Sequence, residues 1–520
     1  MQSYKPLINK LIDVGYMPGF SMGGIPNDYR RFLATNTFTT KAIRYQIENL
    51  YEHTGKKVVI IAHSFGTLTI LNNLIMKENE DLLPKIKKFI AIGPPFAGST
   101  DLIDIFFHGL KLMRKTIKKM GMTFEIDFDD FGKEIMCNTN PTVVELRPLP
   151  IIGKLFNNPE YKEFSEAIRE RLNLEKECGD KECDTSTLQK GSEKFDNIFK
   201  GYFPSLTDED CKYEPSLNKN SKFYNKKCIT EIFNVGDCPL IISKNKDSSI
   251  SFDNLNDLCG KKDDNLYYQT ECGGDRKCVD EIYYTKGPYP FEASSEKATY
   301  FVNRWNEKYG DTYGKKSVDD YIPKEEFMKR TKKQIEYYNE ISLTKELPIP
   351  PIDTDIIYGN YMPTQTSYIL NENDFTEEGE TYYKGGDGTV PNWSSLLTGL
   401  KWVYEMKKNN LPQKIRLIEF CSRLAKDSTY SYDATKDQKF AAISCSCIDS
   451  DNSYNSSSDC KHSMMIGDEK MMEYILSVLD DPREENIPTE DRIKAVKNFD
   501  NNISYQNKCD EGLLNILNSE

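Results

Sequence analysis

The sequence predicts an α/β protein built on a mostly parallel sheet, and two observations carry this prediction. Short, continuously apolar segments at Val58–Ile61 and Phe89–Gly93 have the composition of fully buried strands. Segments with helical periodicity, at 40–53 and 65–76, alternate with them. Helices between strands that are buried on both faces are typical of a parallel sheet with helices on both sides.

The same order of elements returns after a long interruption. A strand is predicted at 355–359, a glycine-rich loop at 385–388, a helix at 396–407, a strand at 414–420 and a helix at 467–479. The simplest organisation is a split core. It comprises a first half at 1–100, a cap or lid insertion at 101–345 with a cysteine-rich part at 176–300, a second half at 346–482 and a tail at 483–520.

Charge and hydropathy exclude two classes of protein. The 520 residues carry a formal net charge of −13, whereas a nucleic-acid-binding protein of this size normally has a basic surplus. No run of about 18 apolar residues is present, so no transmembrane helix is expected. We therefore expect neither a nucleic-acid partner nor a membrane-spanning protein, and the oligomeric state is left open.

The cysteines indicate an oxidising compartment. Of the 14 cysteines, eight lie in polar sequence between 178 and 278, and four more surround a later loop. Those twelve are Cys178, Cys183, Cys211, Cys228, Cys238, Cys259, Cys272, Cys278, Cys421, Cys445, Cys447 and Cys460. Clustered cysteines in turn-rich sequence favour disulfides over zinc, because no C-x-x-C pair exists and no histidine lies in the first cluster. The expected location is a lysosome-like lumen or the extracellular space. No leader is visible, and we expect an upstream segment to be missing.

The strand at 58–61 leads into a candidate nucleophile. Ala62-His63-Ser64-Phe65-Gly66 follows it directly, and a helical segment begins at once. Strand, sharp turn and helix are the signature of a nucleophile elbow, which exposes a serine hydroxyl above an α/β-hydrolase sheet. The usual first glycine of that motif is Ala62 here, which is small enough to leave the turn possible. The elbow and the split core together predict an α/β-hydrolase fold with a large cap or lid.

A serine of this kind needs a histidine as its base, and the chain has four histidines. His63 adjoins the serine, where neighbouring side chains diverge, and His53 precedes the elbow strand. His108 lies in the amphipathic insertion. His462 follows the strand at 414–420 and precedes a helix, so it alone has the expected order and context.

The acid that orients the base is expected on a loop between the serine and the histidine. Asp387 lies in Gly385-Gly386-Asp387-Gly388, after the strand that ends at Tyr358. An Asp-Gly turn without any catalytic role is the alternative. Asp374, Glu377 and Glu378 are rivals, but they lie in a charged run that is typical of a solvent-facing segment.

An oxyanion formed at Ser64 needs backbone donors. The N–H of Phe65 is the first candidate, because it directly follows the nucleophile. A second donor normally comes from a loop after an earlier strand, and the sequence before Ser64 contains no such strand. This second donor is therefore missing or unknown.

Residues 101–135 form an amphipathic segment for which two interpretations remain. Phe106, Leu110 and Met113 recur at helical spacing, and basic residues, among them Lys115, Lys118 and Lys119, crowd the rest. One interpretation is a helix packed on the core with a solvated basic rim. The other is a lid that docks on an anionic lipid surface.

Several motifs together resemble the lecithin:cholesterol acyltransferase family, whose relatives include lysosomal phospholipase A and phospholipid:diacylglycerol acyltransferase. The elbow at 62–66, Pro26-Asn27-Asp28-Tyr29-Arg30 and Pro95-Phe96-Ala97-Gly98 resemble segments of its first half. Segments 358–368, Gly386-Asp387-Gly388-Thr389-Val390-Pro391 and Lys461-His462-Ser463-Met464-Met465 resemble its acid and histidine regions. The resemblance covers roughly 1–145 and 345–480, and the cysteine-rich insertion has no recognisable counterpart.

The resemblance implies acyl transfer from a glycerophospholipid ester, through an acyl-enzyme, to a lipid alcohol or water. It implies Ser64 as nucleophile, Asp387 as acid and His462 as base, with no metal or organic cofactor. The implied partner is a phospholipid membrane or a lipoprotein-like surface. Two alternatives stay open, namely a general esterase or lipase on neutral lipids and a catalytically impaired binding protein on a hydrolase fold.

Overall fold

The fold is described from a computed structural model, which describes 4–27, 33, 36–108, 115–119, 122–126, 142, 145–146, 158–180, 193–202, 213–214, 227–228, 240–243, 303, 306, 315, 347–371, 380–422, 439–445 and 461–480. The rival acids Asp374, Glu377 and Glu378, together with Cys447 and Cys460, lie outside these residues.

A five-stranded parallel sheet forms the centre of the described protein. Its strands are β1 (Val58–His63), β2 (Ile86–Ile92), β8 (Thr354–Gly359), β11 (Ile415–Phe420) and β12 (Phe440–Ile443), in the spatial order β1-β2-β8-β11-β12. Because the strands are parallel, their carboxyl ends lie along one edge. The residues that follow Val58–His63 and Ile86–Ile92 therefore meet the end of Thr354–Gly359 there, and the predicted α/β fold is confirmed.

Helices cover both faces of this sheet. In chain order they are α1 (Lys5–Asp13), α2 (Thr37–Thr54), α3 (Phe65–Ile75), α4 (Asp101–His108), α5 (Lys162–Asp180), α6 (Glu193–Phe199), α7 (Asn392–Asn409) and α8 (Glu469–Val478). Buried residues of α2, α3, α5, α6 and α7 share one core with one face of the sheet, and those of α1 and α8 share a second core with the other. Strand residues alternate between the two cores, as Phe89 and Ile90 do, because successive side chains of a strand point to opposite faces.

Local signals explain where the predicted helix at 40–53 begins and ends. In α2 the side chain of Asn36 accepts a hydrogen bond of 3.2 Å from the backbone N–H of Thr39, which is a helix N-cap. Gly55 ends the helix with a left-handed φ of 67°. The predicted helix is thus confirmed and extends slightly further at both ends.

A second sheet carries the chain from β8 towards the acid loop. It has the order β10-β9-β7, with β7 at Leu240–Ser243, β9 at Met362–Asn371 and β10 at Glu380–Gly386. The last two strands form an antiparallel pair, and the last one ends directly before Asp387. A hairpin therefore separates Asp387 from the strand that ends at Gly359, which the sequence-based prediction did not include.

The helical interpretation of the amphipathic segment 101–135 holds for Asp101–His108 and is wrong at 115–119 and 122–126. The backbone forms an antiparallel pair of β3 (Lys115–Lys119) and β4 (Met122–Ile126), so Lys115, Lys118 and Lys119 lie in a strand. The physical reason lies in Thr116, Ile117, Thr123 and Ile126, since β-branched residues favour strands. Phe106 lies in α4, while Leu110 and Met113 fall outside the described residues. A shorter antiparallel pair, β5 (Tyr213–Glu214) and β6 (Lys227–Cys228), lies in the cysteine-rich part.

Two of the cysteines for which the sequence favours disulfides are bonded at the carboxyl-end edge of the main sheet. Cys421 and Cys445, which follow β11 and β12, are bonded to each other. The bond joins the carboxyl ends of two neighbouring strands, so it supports the prediction of disulfides in the second half of the core. Cys178, Cys183, Cys211, Cys228, Cys238, Cys259, Cys272 and Cys278 fall outside the residues whose side chains are described.

Among the described helices, none combines the length and apolar character that crossing a membrane requires.

Candidate active site

The elbow serine occupies the strained turn that the sequence predicts. Ser64 lies between β1 and α3 with φ 56° and ψ −133°, a conformation that is unfavourable for a residue with a side chain. Its backbone N–H donates to the carbonyl of Ile92, which fixes the turn against the neighbouring strand. The methyl group of Ala62 leaves room for the following helix. Even a Cβ built on Gly66 would lie 3.9 Å from that methyl group, which is an ordinary van der Waals distance.

The carboxylate of Asp387 is held in one orientation. The backbone N–H groups of Thr389 and Val390 donate to its Oδ1 at 3.0 and 2.7 Å. Its Oδ2 lies 2.7 Å from Nδ1 of His462. Only 1% of Asp387 is exposed, so the carboxylate depends on these protein donors rather than on water.

The hydrogen bond to Asp387 determines the tautomer of His462. A carboxylate only accepts, so Nδ1 carries the hydrogen and the neutral ring keeps a lone pair on Nε2. His462 is buried, and its Nε2 has no hydrogen-bonding partner among the described residues. A buried ring nitrogen that is oriented by a carboxylate and left unpartnered is arranged to accept a proton.

Two glycines at the ends of neighbouring strands make room for this pair. Gly93, which follows β2 with φ 53°, lies so close that a Cβ there would be 2.9 Å from His462 Cε1 and 3.0 Å from Asp387 Oδ2. A Cβ on Gly359 would lie 2.7 Å from Asp387 Cβ. The sequence analysis missed both positions, although glycine at the carboxyl end of a buried strand is a signal of close approach.

His63 contacts His462, which the sequence analysis did not expect. Its Nε2 lies 2.8 Å from the backbone carbonyl oxygen of His462, and the two ring centroids are 4.5 Å apart. Burial, with a smaller contribution from a positive charge on His462, lowers the pKa of His63 to about 4.

The other two histidines lie elsewhere. His53 stacks on Phe20, with ring centroids 5.6 Å apart and planes at 6°. His108 is the last residue of α4, and its side chain is not described. The elimination that singled out His462 therefore agrees with the geometry around Asp387.

The start of α3 presents backbone donors next to Ser64. The first N–H groups of a helix have no partners within it, and Phe65 is the first residue of α3. The N–H and hydroxyl of Thr67 both donate to the carbonyl of Ser64, which orders this turn. In the described part of the chain β1 is the first strand and lies at an edge of the sheet. The second oxyanion donor is not assigned.

A segment ahead of the elbow is tied to the same helix. The side-chain amide of Asn27 donates to the hydroxyl of Thr69 at 3.1 Å, and the amide of Asn36 donates to the Asn27 side chain. The motif at 26–30 therefore begins against α3, although Asp28, Tyr29 and Arg30 lie outside the described residues.

Comparison with known proteins gives a match in the first quarter of the chain. Residues 1–124 match the family described as lecithin:cholesterol acyltransferase. The lysosomal phospholipase A and acyltransferase of Bos taurus is 32% identical over 104 residues, 20% of this chain and 25% of that protein. Its Homo sapiens counterpart is 28% identical over 106 residues, 20% and 26% of the two chains. The phosphatidylcholine-sterol acyltransferase of Mus musculus is 28% identical over 103 residues, 20% and 24%.

These alignments span about a quarter of the length of the relatives. The family match includes Ser64 and ends before Asp387 and His462, so those two residues stand on their geometry. The resemblance to the lecithin:cholesterol acyltransferase family that the motifs predict is confirmed, and it is carried by residues 1–124.

Proposed function

We propose that this protein is a serine-dependent lipid acyltransferase or phospholipase in which Ser64, Asp387 and His462 form the catalytic triad. The observation that carries the proposal is the bond of 2.7 Å between His462 Nδ1 and Asp387 Oδ2, which leaves Nε2 unpartnered among the described residues. Ser64 lies at the same edge of the sheet, on a strained turn. In the absence of substrate such sites often lack a close contact between nucleophile and base, which tightens in the complex.

The proposed reaction has two half-reactions, acylation of Ser64 and deacylation of the acyl-enzyme. Ser64 Oγ attacks the ester carbonyl carbon while His462 Nε2 takes the hydroxyl proton, and the N–H of Phe65 donates to the resulting oxyanion. The tetrahedral intermediate then expels the lipid alcohol, which receives the proton from His462, and an acyl-enzyme remains. In the second half His462 deprotonates a second alcohol or water, which attacks the acyl-enzyme, and the proton returns to Ser64. Asp387 stabilises the imidazolium that forms in both halves.

The substrate class follows from the relatives rather than from the site. One of these relatives is named lysosomal phospholipase A and acyltransferase, and another is named phosphatidylcholine-sterol acyltransferase. We therefore propose a glycerophospholipid as acyl donor and a lipid alcohol or water as acceptor. The disulfide between Cys421 and Cys445 and the lysosomal location in those names support an oxidising lumen or the extracellular space.

The central experiment compares wild type with Ser64→Ala and with Ser477→Ala. Ser477 is a matched control, because its hydroxyl only donates to the Tyr474 carbonyl within α8. Phospholipid vesicles with a labelled acyl chain are supplied with and without a lipid alcohol. We expect wild type and Ser477→Ala to release labelled product and to react with a fluorophosphonate probe, whereas Ser64→Ala does neither. An ester product identifies a transferase, and free fatty acid identifies a hydrolase.

Three results would contradict this proposal in different ways. Unchanged product release by Ser64→Ala rejects the assigned nucleophile. Turnover of neutral esters but not of phospholipids supports the general esterase instead. Absence of both turnover and probe labelling in folded wild type supports a binding protein on a hydrolase fold.

Docking on an anionic lipid surface is a separate part of the proposal. Lys115, Lys118 and Lys119 lie in one arm of the β3–β4 hairpin, and basic residues near a lipid surface favour anionic headgroups. Reversing the three charges to glutamate is expected to weaken binding to anionic vesicles and not to neutral ones. Equal binding of the variant and wild type to anionic vesicles would reject this surface.

A further inference from the structure

His63 adjoins the proposed nucleophile in the chain and contacts the proposed base in space. It is the last residue of β1 and directly precedes Ser64. Its Nε2 lies 2.8 Å from the backbone carbonyl oxygen of His462. A carbonyl oxygen only accepts, so Nε2 carries the hydrogen and donates it. A single side chain therefore connects the strand of the nucleophile to the turn of the base.

This bond completes the anchoring of the His462 backbone. The N–H of His462 donates to the backbone carbonyl of Asp387 at 2.9 Å, and its carbonyl accepts from His63. The side chain is held separately through Nδ1. His462 is thus fixed at its N–H, its carbonyl and its ring, and only the contact with His63 comes from the elbow.

The ring of His63 also packs against the base. The centroids of the two imidazoles are 4.5 Å apart with planes inclined at 34°. Tyr4 packs edge-on against His63, with ring centroids 6.5 Å apart. The titratable groups around His63 are therefore His462, Asp387 and Tyr4. A charge on His63 would repel the imidazolium that His462 forms during the reaction.

We propose that His63 is a positioning residue for His462, which holds the backbone of the base through its Nε2–H and packs uncharged against the ring. This inference rests on the proposed function, because it assigns a partner to the base of that reaction. Its ordinary alternative is a histidine that only fills space at the end of a strand. The burial that lowers the pKa of His63 to about 4 keeps its ring uncharged near neutral pH.

The positioning role predicts different effects for replacements of His63 that keep the hydrogen-bond donor and for those that lose it, whereas a space-filling role does not. Glutamine can place its amide N–H near the position of Nε2, while asparagine is too short and leucine has no donor. We expect His63→Gln to retain kcat within about threefold. We expect His63→Asn and His63→Leu to lose about 10- to 100-fold in kcat with little change in KM, since a small misplacement of a catalytic group has effects of this size.

The pH profile provides a readout that a purely structural role would not move. A less firmly held His462 loses part of its stabilisation by Asp387, so the acid limb of kcat/KM moves to lower pH in His63→Leu and His63→Asn. The acid limb is expected to stay at its wild-type pH in His63→Gln. His53→Leu is the matched control, because it removes a histidine stacked on Phe20 and is expected to leave kcat and the acid limb unchanged.

The experiment separates failure of this inference from failure of the proposed function. Wild type that neither turns over phospholipid nor labels with fluorophosphonate rejects the function itself. An active wild type whose kcat and acid limb are matched by folded His63→Leu and His63→Asn overturns the positioning role. Loss of activity in His63→Gln equal to that in His63→Asn overturns the donor role as well. If His63→Leu does not fold, the pair of Gln and Asn variants decides.

Discussion

Two buried carboxylates on this sheet have very different surroundings, and the difference separates a structural cluster from the proposed catalytic pair. Asp355 and Asp387 are each 1% exposed. Asp355 is fully engaged, because Arg416 donates to both of its oxygens at 3.0 Å and Lys88 lies 3.1 Å away. The Tyr474 hydroxyl donates to the same carboxylate and accepts from Arg416. Asp387 instead orients a histidine whose other nitrogen is left unpartnered among the described residues.

We call Asp355 with Arg416, Lys88 and Tyr474 the closed cluster, and Asp387 with His462 the open pair. The closed cluster connects distant elements of the fold. Asp355 lies on β8, Arg416 on β11 and Tyr474 on α8, so the cluster fastens this helix to the centre of the sheet. The helix follows directly after the turn that contains His462. The closed cluster thus holds the scaffold, and the open pair keeps one nitrogen available for chemistry.

The largest expected effect comes from breaking the open pair. In Asp387→Asn the amide no longer provides a negatively charged acceptor for Nδ1–H, so His462 loses its tautomer and orientation. We expect kcat to fall about 10⁴-fold, as for comparable triads, while the midpoint of urea unfolding changes little. Steady-state kinetics and urea unfolding of the same preparation check this. Retention of more than about a tenth of wild-type kcat contradicts the assignment of Asp387.

Breaking the closed cluster is expected to give the opposite pattern. Asp355→Asn leaves the buried Arg416 without its countercharge, and loss of one partner of a buried pair typically costs about 3–5 kcal/mol of unfolding free energy. The folded fraction should retain its kcat. Asp480→Asn is the matched control, because Asp480 pairs with Lys87 at the surface and such pairs contribute about 1 kcal/mol or less. Equal losses of stability in both variants would remove the distinction between the clusters.

A methyl group at Gly93 tests the space that the open pair requires. Gly93→Ala places a Cβ within 3.0 Å of Asp387 Oδ2 and 2.9 Å of His462 Cε1, in a left-handed backbone conformation. We expect kcat to fall about 100-fold, because the base is displaced by a fraction of an ångström to an ångström. Gly55→Ala is the control, since it shares the left-handed φ and has open space around it. Wild-type kcat in Gly93→Ala would show that the pair tolerates the displacement.

The smallest effects are expected in the pH dependence of stability, where two buried groups act in opposite directions. The folded pKa of His63 is lowered from 6.5 to about 4, so only the unfolded state binds this proton between those values, and stability rises with pH there. Burial raises the pKa of Glu419 from 4.5 to about 7. The folded state holds that proton while the unfolded state releases it, so stability falls as pH rises across this window.

Each of these contributions amounts to about 3.5 kcal/mol at most, since each pKa moves by about 2.5 units and one unit corresponds to about 1.4 kcal/mol. Urea unfolding at several pH values between 4 and 7 measures the slope that each group contributes. His63→Gln should flatten the rise on the acid side, and Glu419→Gln should flatten the fall towards neutral pH. A wild-type slope in either variant would show that another group is responsible.

The sequence predicted the parts of this protein that depend on local chemistry. Apolar β-branched runs such as Val58–Ile61 form strands, and an elbow serine is defined by the residues next to it, so both follow from short segments. His462 and Asp387 were found because their order along the chain and the scarcity of histidines left few choices. The strand Phe440–Ile443 was missed because four apolar residues within a polar stretch give too weak a pattern. The segment 115–126 was misassigned because helical spacing of apolar residues outweighed its β-branched content.

The sequence by itself thus determined the α/β class, the position of the strained serine and the choice of Asp387 and His462 as the proposed acid and base, because each depends on residue type and order. Tertiary structure alone decided which contacts those residues make. Close approach of Gly93 and Gly359, the closed cluster around Asp355 and the contact of His63 with His462 all join segments far apart in the chain. Their geometry is set by strand register and helix packing, which no local pattern encodes.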